Sequence, residues 1–213
     1  MHESSLAAMS WFVENYVSAR YSESLFIVDH GSADVNGSYR HFFTSPQWTY
    51  VGCDLDAGPN VDIVLEGPYE PLPFDDDSVD VLISGQVLEH VAYPWVVVNE
   101  WARVLRPGGI LCVIVPGAGP EHNYPIDCYR YLPEGLVALI QWSGLRVTDI
   151  AQSSPEGWSD GSEQWLDSLA VAVKDSTTTF ATPRLDRQRA LWLSTLSPAP
   201  ARRILHAPST PEV

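Results

Sequence analysis

Cysteine is scarce in this chain of 213 residues. There are three, Cys53, Cys112 and Cys128, and no CxxC pairing. They cannot build a disulfide framework, and they argue for a reducing compartment and against structural zinc. No stretch of about 18 apolar residues exists, so no membrane span is expected. The opening residues, MHESSLAAMSWFVENY, have no basic lead and carry Glu3 and Glu14. That does not fit a signal peptide, and a cytoplasmic location is the expectation. Positive charge is also short. Lys+Arg number 12 against 27 Asp+Glu, a net charge of −15, and Lys174 is the lone lysine. Such a balance argues against nucleic acid held by bulk electrostatics.

What is present reads as a globular protein. Hydrophobic residues make up 45% and charged residues 18%, enough for one domain with a core of its own. The charge is uneven. Residues 177–213 hold five arginines against Asp186 and Glu212, a net +3, which leaves −18 for residues 1–176. The tail is rich in Thr, Ser, Pro and Ala. A domain over 1–176 is expected, then a basic, Pro-containing extension over 177–213 with an optional short helix at 184–196 and a disordered end.

Apolar residues at helical spacing (Leu6, Met9, Phe12, Val13, Tyr16, Val17) predict a helix over 5–20. Strands are expected at 25–31, 48–55, 61–65, 78–85, 110–116, 145–152 and 168–175. Helices are expected to open within 36–43, to run through most of 86–105, and to span 133–143 up to Gly144. Runs such as FIV, VLI and CVIV are continuous rather than alternating. That fits a mostly parallel sheet covered on both faces, a doubly wound, Rossmann-like α/β fold of seven strands. The last two strands are joined by a polar loop, so they are expected to pair antiparallel. In such a sheet ligands bind at the carboxyl ends of the strands, near the switch point beside the first.

At the end of the first strand stand Asp29, Gly31, Ser32 and Ala33. Small residues there let backbone approach a ligand, and a following helix start would offer N–H groups to an anion. Asp54 closes the second strand and can accept both hydroxyls of a ribose. A nicotinamide fingerprint is not met, because Ala33 and Asn36 stand where its second and third glycines belong.

Several pieces occur in order: Val28-Asp29-x-Gly31-Ser32, Asp54, Leu72-Pro73-Phe74, Ser78-Val79-Asp80-Val81, Val87-Leu88-Glu89-His90-Val91 and Arg103-Val104-Leu105-Arg106-Pro107-Gly108-Gly109. Together they resemble the class I S-adenosylmethionine-dependent methyltransferases, in a branch typified by small-molecule methylation, over residues 5–175. The stretches 36–40 and 119–131 look like a sub-branch of bacterial enzymes, some tied to surface-sugar or natural-product assembly. The resemblance implies S-adenosylmethionine as cofactor and a role for each matching residue. Asp29 would hold the cofactor's amino end. Gly31, Ser32 and Ala33 would face the methionine part and ribose. Asp54 would bind the ribose hydroxyls, and Leu55 would pack on adenine. Glu66, where the family more often has Asp, and Gly67 would lie near the adenine amino group. Gly85 and Gln86 would line the methyl-donor pocket.

Methyl transfer to a hydroxyl is helped by a base, and histidine is the commonest near neutral pH. His90, just past the fourth strand, is the first candidate, and His122 is the second. On a helix Gln86, Glu89 and His90 would share one face. With His122 they resemble the metal site of small-RNA 2′-O-methyltransferases, but those enzymes have glutamate where this chain has Gln86. A hydrogen-bonded structural cluster without metal is the expectation. Arg130 could pair with an acceptor carboxylate or phosphate, or with Asp127 while Tyr129 and Tyr131 anchor the loop. Trp158 and Trp165 could cover the acceptor or serve a homodimer contact. The reading is methylation of a small polar acceptor, a sugar or secondary metabolite at oxygen. Its rivals are methylation of nucleic acid or protein, and cofactor binding without turnover.

Overall fold

The computed structural model describes residues 2–176. The expected extension at 177–213, with its optional helix, lies outside the described residues. The strands are β1 (Leu25–His30), β2 (Trp48–Asp54), β3 (Ile63–Val64), β4 (Val79–Gly85), β5 (Leu105–Val115), β6 (Arg146–Gln152) and β7 (Ser168–Val173). The α-helices are α1 (Glu3–Phe12), α2 (Pro94–Val104) and α3 (Pro133–Trp142). One sheet joins all seven strands in the order β3-β2-β1-β4-β5-β7-β6. Strands β1 to β5 pair in parallel, and β7 lies antiparallel between β5 and β6. The chain moves outward from β1 to β2 and β3, then crosses back to β4. The switch point therefore falls between the carboxyl ends of β1 and β4.

Alternate residues of each strand serve different faces. Ile27, Val81, Ile83, Cys112 and Ile114 meet Met9, Phe12, Val13 and Val17 of the N-terminal helical segment. Val28, Leu82, Leu111, Val113 and Ala170 meet Val98, Trp101, Leu136 and Ile140 of α2 and α3. Both faces are dry, which explains the unbroken apolar runs. Each such buried side chain contributes about 1.5–3 kcal/mol. Among the described residues no helix is long and apolar enough to cross a membrane.

Three expectations about helices are corrected. The N-terminal segment is helical over the expected span but not uniform. After α1 it widens into a π turn at Val13–Val17 and tightens into a 3₁₀ turn at Ser18–Arg20. Between β1 and β2 there is only a 3₁₀ turn, Arg40–Phe42. Local side-chain bonds hold this loop instead: Gly37 N–H donates to Asp34 Oδ1 at 2.8 Å and Arg40 N–H to Ser38 Oγ at 3.1 Å. Such Asx-type turns compete with helix formation. No α-helix lies between β2 and β3 or between β3 and β4 either. The third correction concerns 86–105. Gln86 takes a left-handed φ of 59°, Leu88–His90 form a 3₁₀ turn, and the helix itself starts at Pro94. Proline suits a first turn, where its missing N–H costs nothing.

Some of the motif residues prove to be scaffolding. Arg103 donates to Phe74 O at 2.9 Å and Leu72 O at 3.0 Å and pairs with Glu100 and Asp76. Lys174, only 3% exposed, donates to Ala102 O and Leu105 O, both at 2.7 Å, and to Asp77 Oδ1 at 2.6 Å. Its charge faces the carbonyl end of α2, where a cation is favoured. Asp76 and Asp77 are thus ion-pair partners of Arg103 and Lys174.

Candidate active site

The exits of β1 and β2 are tied together by backbone. Gly31 N–H and Ser32 N–H both donate to Cys53 O, at 2.8 and 3.1 Å. Ala33 N–H donates to Asp54 Oδ2 at 2.8 Å, and Leu55 N–H to Asp54 Oδ1 at 2.7 Å. No helix begins here to offer the expected free N–H groups, and the N–H groups of Gly31, Ser32 and Ala33 already have partners. Gly31 has φ 88°, and a Cβ on it would lie 2.0 Å from Val87 Cγ2. The close approach that glycine permits at this turn is to Val87 itself.

Asp29 is 2% exposed. Tyr50 Oη donates to its Oδ2, and its Oδ1 has no hydrogen-bond partner. Burial pushes its carboxyl up to about 7, against the hydrogen bond from Tyr50. Arg40 stacks on the Tyr50 ring at 4.6 Å and pairs with Asp62 and Asn60. Leu55, next to Asp54, is 39% exposed. Leu65 N–H donates to Asp54 O at 2.8 Å, so Glu66 (exposed) and Gly67 (half-buried) follow directly from the β2 exit.

The opposite wall is the end of β4. A Cβ on Gly85 would lie 2.0 Å from Tyr39 Oη and 2.5 Å from its ring. Tyr39 is 1% exposed, and its Oη shares a 2.6 Å hydrogen bond with Ser5 Oγ of α1. Gln86 Nε2 donates to Asp167 Oδ1 at 3.1 Å. Asp167 in turn accepts from Ser4 Oγ and meets His2 Nδ1 at 3.0 Å. The N-terminal segment thus packs over the residues past β4. Gly85→Ala is expected to destabilise the fold by about 1–3 kcal/mol through overpacking. Urea denaturation checks this, and an unchanged midpoint would remove the Tyr39 contact from the account.

Glu89, His90 and His122 form the third group. One ligand-type atom from each lies within 4.8 Å of the others. His90 Nδ1 meets Ile126 O at 2.6 Å, and its Nε2 lies 3.7 Å from Glu89 Oε1. The short contact to a carbonyl makes Nδ1 the protonated nitrogen and leaves Nε2 with a lone pair. Burial lowers the His90 pKa. The Glu89 side chain is fully buried and neither oxygen has a hydrogen-bond partner; burial pushes its carboxyl up to about 8. The His90 and His122 rings are 4.9 Å apart, and Trp165 lies 4.9 Å beyond His122.

Gln86 does not share a face with Glu89 and His90; its left-handed backbone sends it to Asp167 instead. Arg130 grips Asp127 with a two-pronged pair at 2.6 and 2.7 Å. Tyr129 and Tyr131 donate to Ala92 O and Leu88 O, at 2.9 and 3.0 Å, anchoring the loop. Sequence reasoning missed Tyr50, Tyr39, Ser5 and Asp167. Tyr50 had a signal: it shares a strand face with Gly52 and Asp54, and Asp29 pairs in register with Gly52.

A family model described as a methyltransferase domain matches residues 36–113. An uncharacterized methyltransferase of Mycobacterium leprae is 30% identical over 185 residues, covering 80% of this chain and 65% of that protein. One from Mycolicibacterium vanbaalenii is 62% identical over 113 residues, covering 46% of this chain and 44% of its own length. A crystal structure of Burkholderia thailandensis 1,6-didemethyltoxoflavin-N1-methyltransferase, with bound 1,6-didemethyltoxoflavin and S-adenosylhomocysteine, superposes with a TM-score of 0.62. It is 16% identical and covers 82% of this chain and 80% of that one. The chain is similar to the class I S-adenosylmethionine-dependent methyltransferases, as the family model, the relatives and the shared fold support. It spans less than two thirds of the curated relatives it matches. Within this fold, the first two groups stand at the ends of β1, β2 and β4, and the third on the turn after β4 and the segment after β5. The domain match begins after Asp29, Gly31, Ser32 and Ala33, so those residues stand on the sheet geometry and their motif.

Proposed function

We propose that this chain transfers a methyl group from S-adenosylmethionine to an oxygen of a small polar acceptor, with a sugar or natural product as the preferred class. The observation that carries the reading is Asp29, a carboxylate at the switch point with one buried oxygen lacking a partner. An amino group there would satisfy it. The chemistry of the neighbouring groups fits the rest of the cofactor. Asp54 would accept the ribose hydroxyls, Leu55 would pack on adenine, and Glu66 and Gly67 would lie near its amino group. Gly31, Ser32 and Ala33 would flank the ribose and methionine part, and Gly85 and Gln86 the donor pocket. When bound, the cofactor supplies an electrophilic methyl group on a sulfonium. The chain's own work is to orient the acceptor and exclude water, which supplies several kcal/mol. On the acceptor side, His90 Nε2 is the candidate base, held in one tautomer by Ile126 O and kept neutral by burial. Trp165 meets the neighbouring His122 edge-on. The reading assigns this chemistry to a cytoplasmic domain of residues 1–176.

The test is calorimetric titration of the purified protein with S-adenosylmethionine and S-adenosylhomocysteine, then transfer of labelled methyl to sugar and metabolite pools. Micromolar binding and a labelled small product support the reading. No binding of either compound by folded protein overturns it.

Asp29 adds a pH signature. Its folded-state pKa of about 7 lies above the unfolded value, so between pH 4 and 7 the native state keeps a proton that the unfolded chain releases. This group's contribution to stability therefore falls as pH rises through that window. An ammonium on Asp29 replaces the proton. Cofactor affinity is expected to rise by up to about tenfold per pH unit towards 7 and to level off above it. Calorimetry at pH 6 in two buffers of different ionisation enthalpy checks for the released proton. Asp29→Asn should abolish the release; an identical slope in that variant would move the effect elsewhere.

A further inference from the structure

The Glu89, His90 and His122 cluster has features that a hydrogen-bonded structural group does not explain. A fully buried carboxylate normally has partners for both oxygens, because leaving them unmade costs about 1–3 kcal/mol or more. Glu89 has none for either, and its Oε1 points at His90 Nε2 at 3.7 Å. The two imidazoles are held from behind. His90 Nδ1 is taken by Ile126 O at 2.6 Å. His122 Nδ1 faces Pro120 O at 3.4 Å and Asp127 Oδ2 at 3.5 Å, with Arg130 Nη2 at 3.4 Å. Asp127 also accepts the His122 N–H at 2.7 Å and is locked by Arg130. An imidazole whose Nδ1 rests on a carbonyl while Nε2 faces a carboxylate, as in His90, is the outer-shell pattern of metal-bound histidine.

We propose that Glu89, His90 and His122 bind a divalent transition-metal ion at the acceptor side of the pocket. Two imidazoles and one carboxylate suit zinc, manganese or iron(II) and leave a coordination position open. Metal–ligand bonds of about 2.0–2.2 Å put the ligand atoms about 3.4 Å apart. The present spread of up to 4.8 Å therefore closes by up to about 1.4 Å. His122 can supply that movement, since its side chain is 40% exposed. The open position would take an oxygen. An ion held there would lower the pKa of a bound hydroxyl and ease loss of its proton to water. His90 would then be a ligand rather than the base. That catalytic consequence rests on the proposed methyl transfer; the binding itself does not.

The experiment uses the full chain, stripped with chelator and desalted. Cobalt(II) is titrated in while the visible d–d absorption is followed, and zinc retained after dialysis is measured by elemental analysis. The expected result is one ion per chain. His122→Ala and Glu89→Gln should each weaken it by about 100-fold or more, since ligands matter at least as much as their outer-shell partners. Circular dichroism confirms that each variant folds, and zinc should raise the melting temperature of the wild type alone. His122→Ala, on a half-exposed loop, keeps the test informative if Glu89→Gln fails to fold. No saturable uptake by the wild type, or equal uptake by folded His122→Ala, overturns the proposal. S-adenosylmethionine titration of the same metal-free protein tests the cofactor reading separately, so either can fail alone.

Discussion

Replacing Asp54 with alanine is expected to weaken S-adenosylmethionine binding by about 100-fold or more. Hydrogen bonds from two ribose hydroxyls to a carboxylate are charge-assisted and contribute about 1.5–3 kcal/mol each. Losing about 3 kcal/mol is a little over 100-fold, at 1.4 kcal/mol per decade. The side chain also holds Ala33 N–H at 2.8 Å, so its removal loosens the loop that flanks the ligand. Asp54→Asn keeps an oxygen for that N–H but loses the charge, and an intermediate loss is expected. Calorimetry reads both variants. Unchanged affinity in folded Asp54→Ala would sink the ribose assignment.

His90→Ala is expected to cut turnover by about 100-fold or more, the usual worth of a positioned acid or base. Cofactor affinity should stay as it was, because His90 hangs on the turn after β4, bonded to Ile126, and not on the exits of β1 and β2. The loss should appear in kcat rather than in the cofactor's Kd. Single-turnover rates with labelled cofactor give the first, and calorimetry the second. Survival of turnover within a few-fold would remove His90 from the chemistry, whether as base or as metal ligand. A parallel collapse of cofactor binding would assign it to the donor pocket instead.

The sheet was legible because its two faces are equally apolar. Phe26 and Val28 pack towards α2 while Ile27 packs towards α1, so the strand carries no polar break to disguise it. The course of the chain after β1 and β4 was not legible, for a local reason. In 34–40 the side chains of Asp34 and Ser38 bond nearby backbone, and nothing in the spacing of apolar residues signals that outcome. In 86–93 the left-handed Gln86 breaks the periodicity that places Glu89 and His90 three and four residues on. The acids at the ends of β1 and β2 were readable from position alone. Their environment was not: the partner of Asp29 is Tyr50, and the lining beside Gly85 is Tyr39, carried on a loop and fixed by Ser5 of a distant helix. Contacts between segments this far apart in sequence leave no mark in either segment.

The place of β7 has a consequence for how the chain is made. Among the described residues it is the last strand in sequence order, yet it separates β5 from β6. During synthesis β6 emerges first and has no strand to pair with until Ser168–Val173 arrive and slide in beside β5. Until then two rows of unpaired N–H and C=O groups are exposed, a template for misassociation between nascent chains. A fragment ending before Ser168 would keep every residue of the first five strands and still aggregate. Truncations meant to trim this protein should therefore stop beyond Lys174, whose ammonium closes the helix-end carbonyls only after the whole sheet is in place.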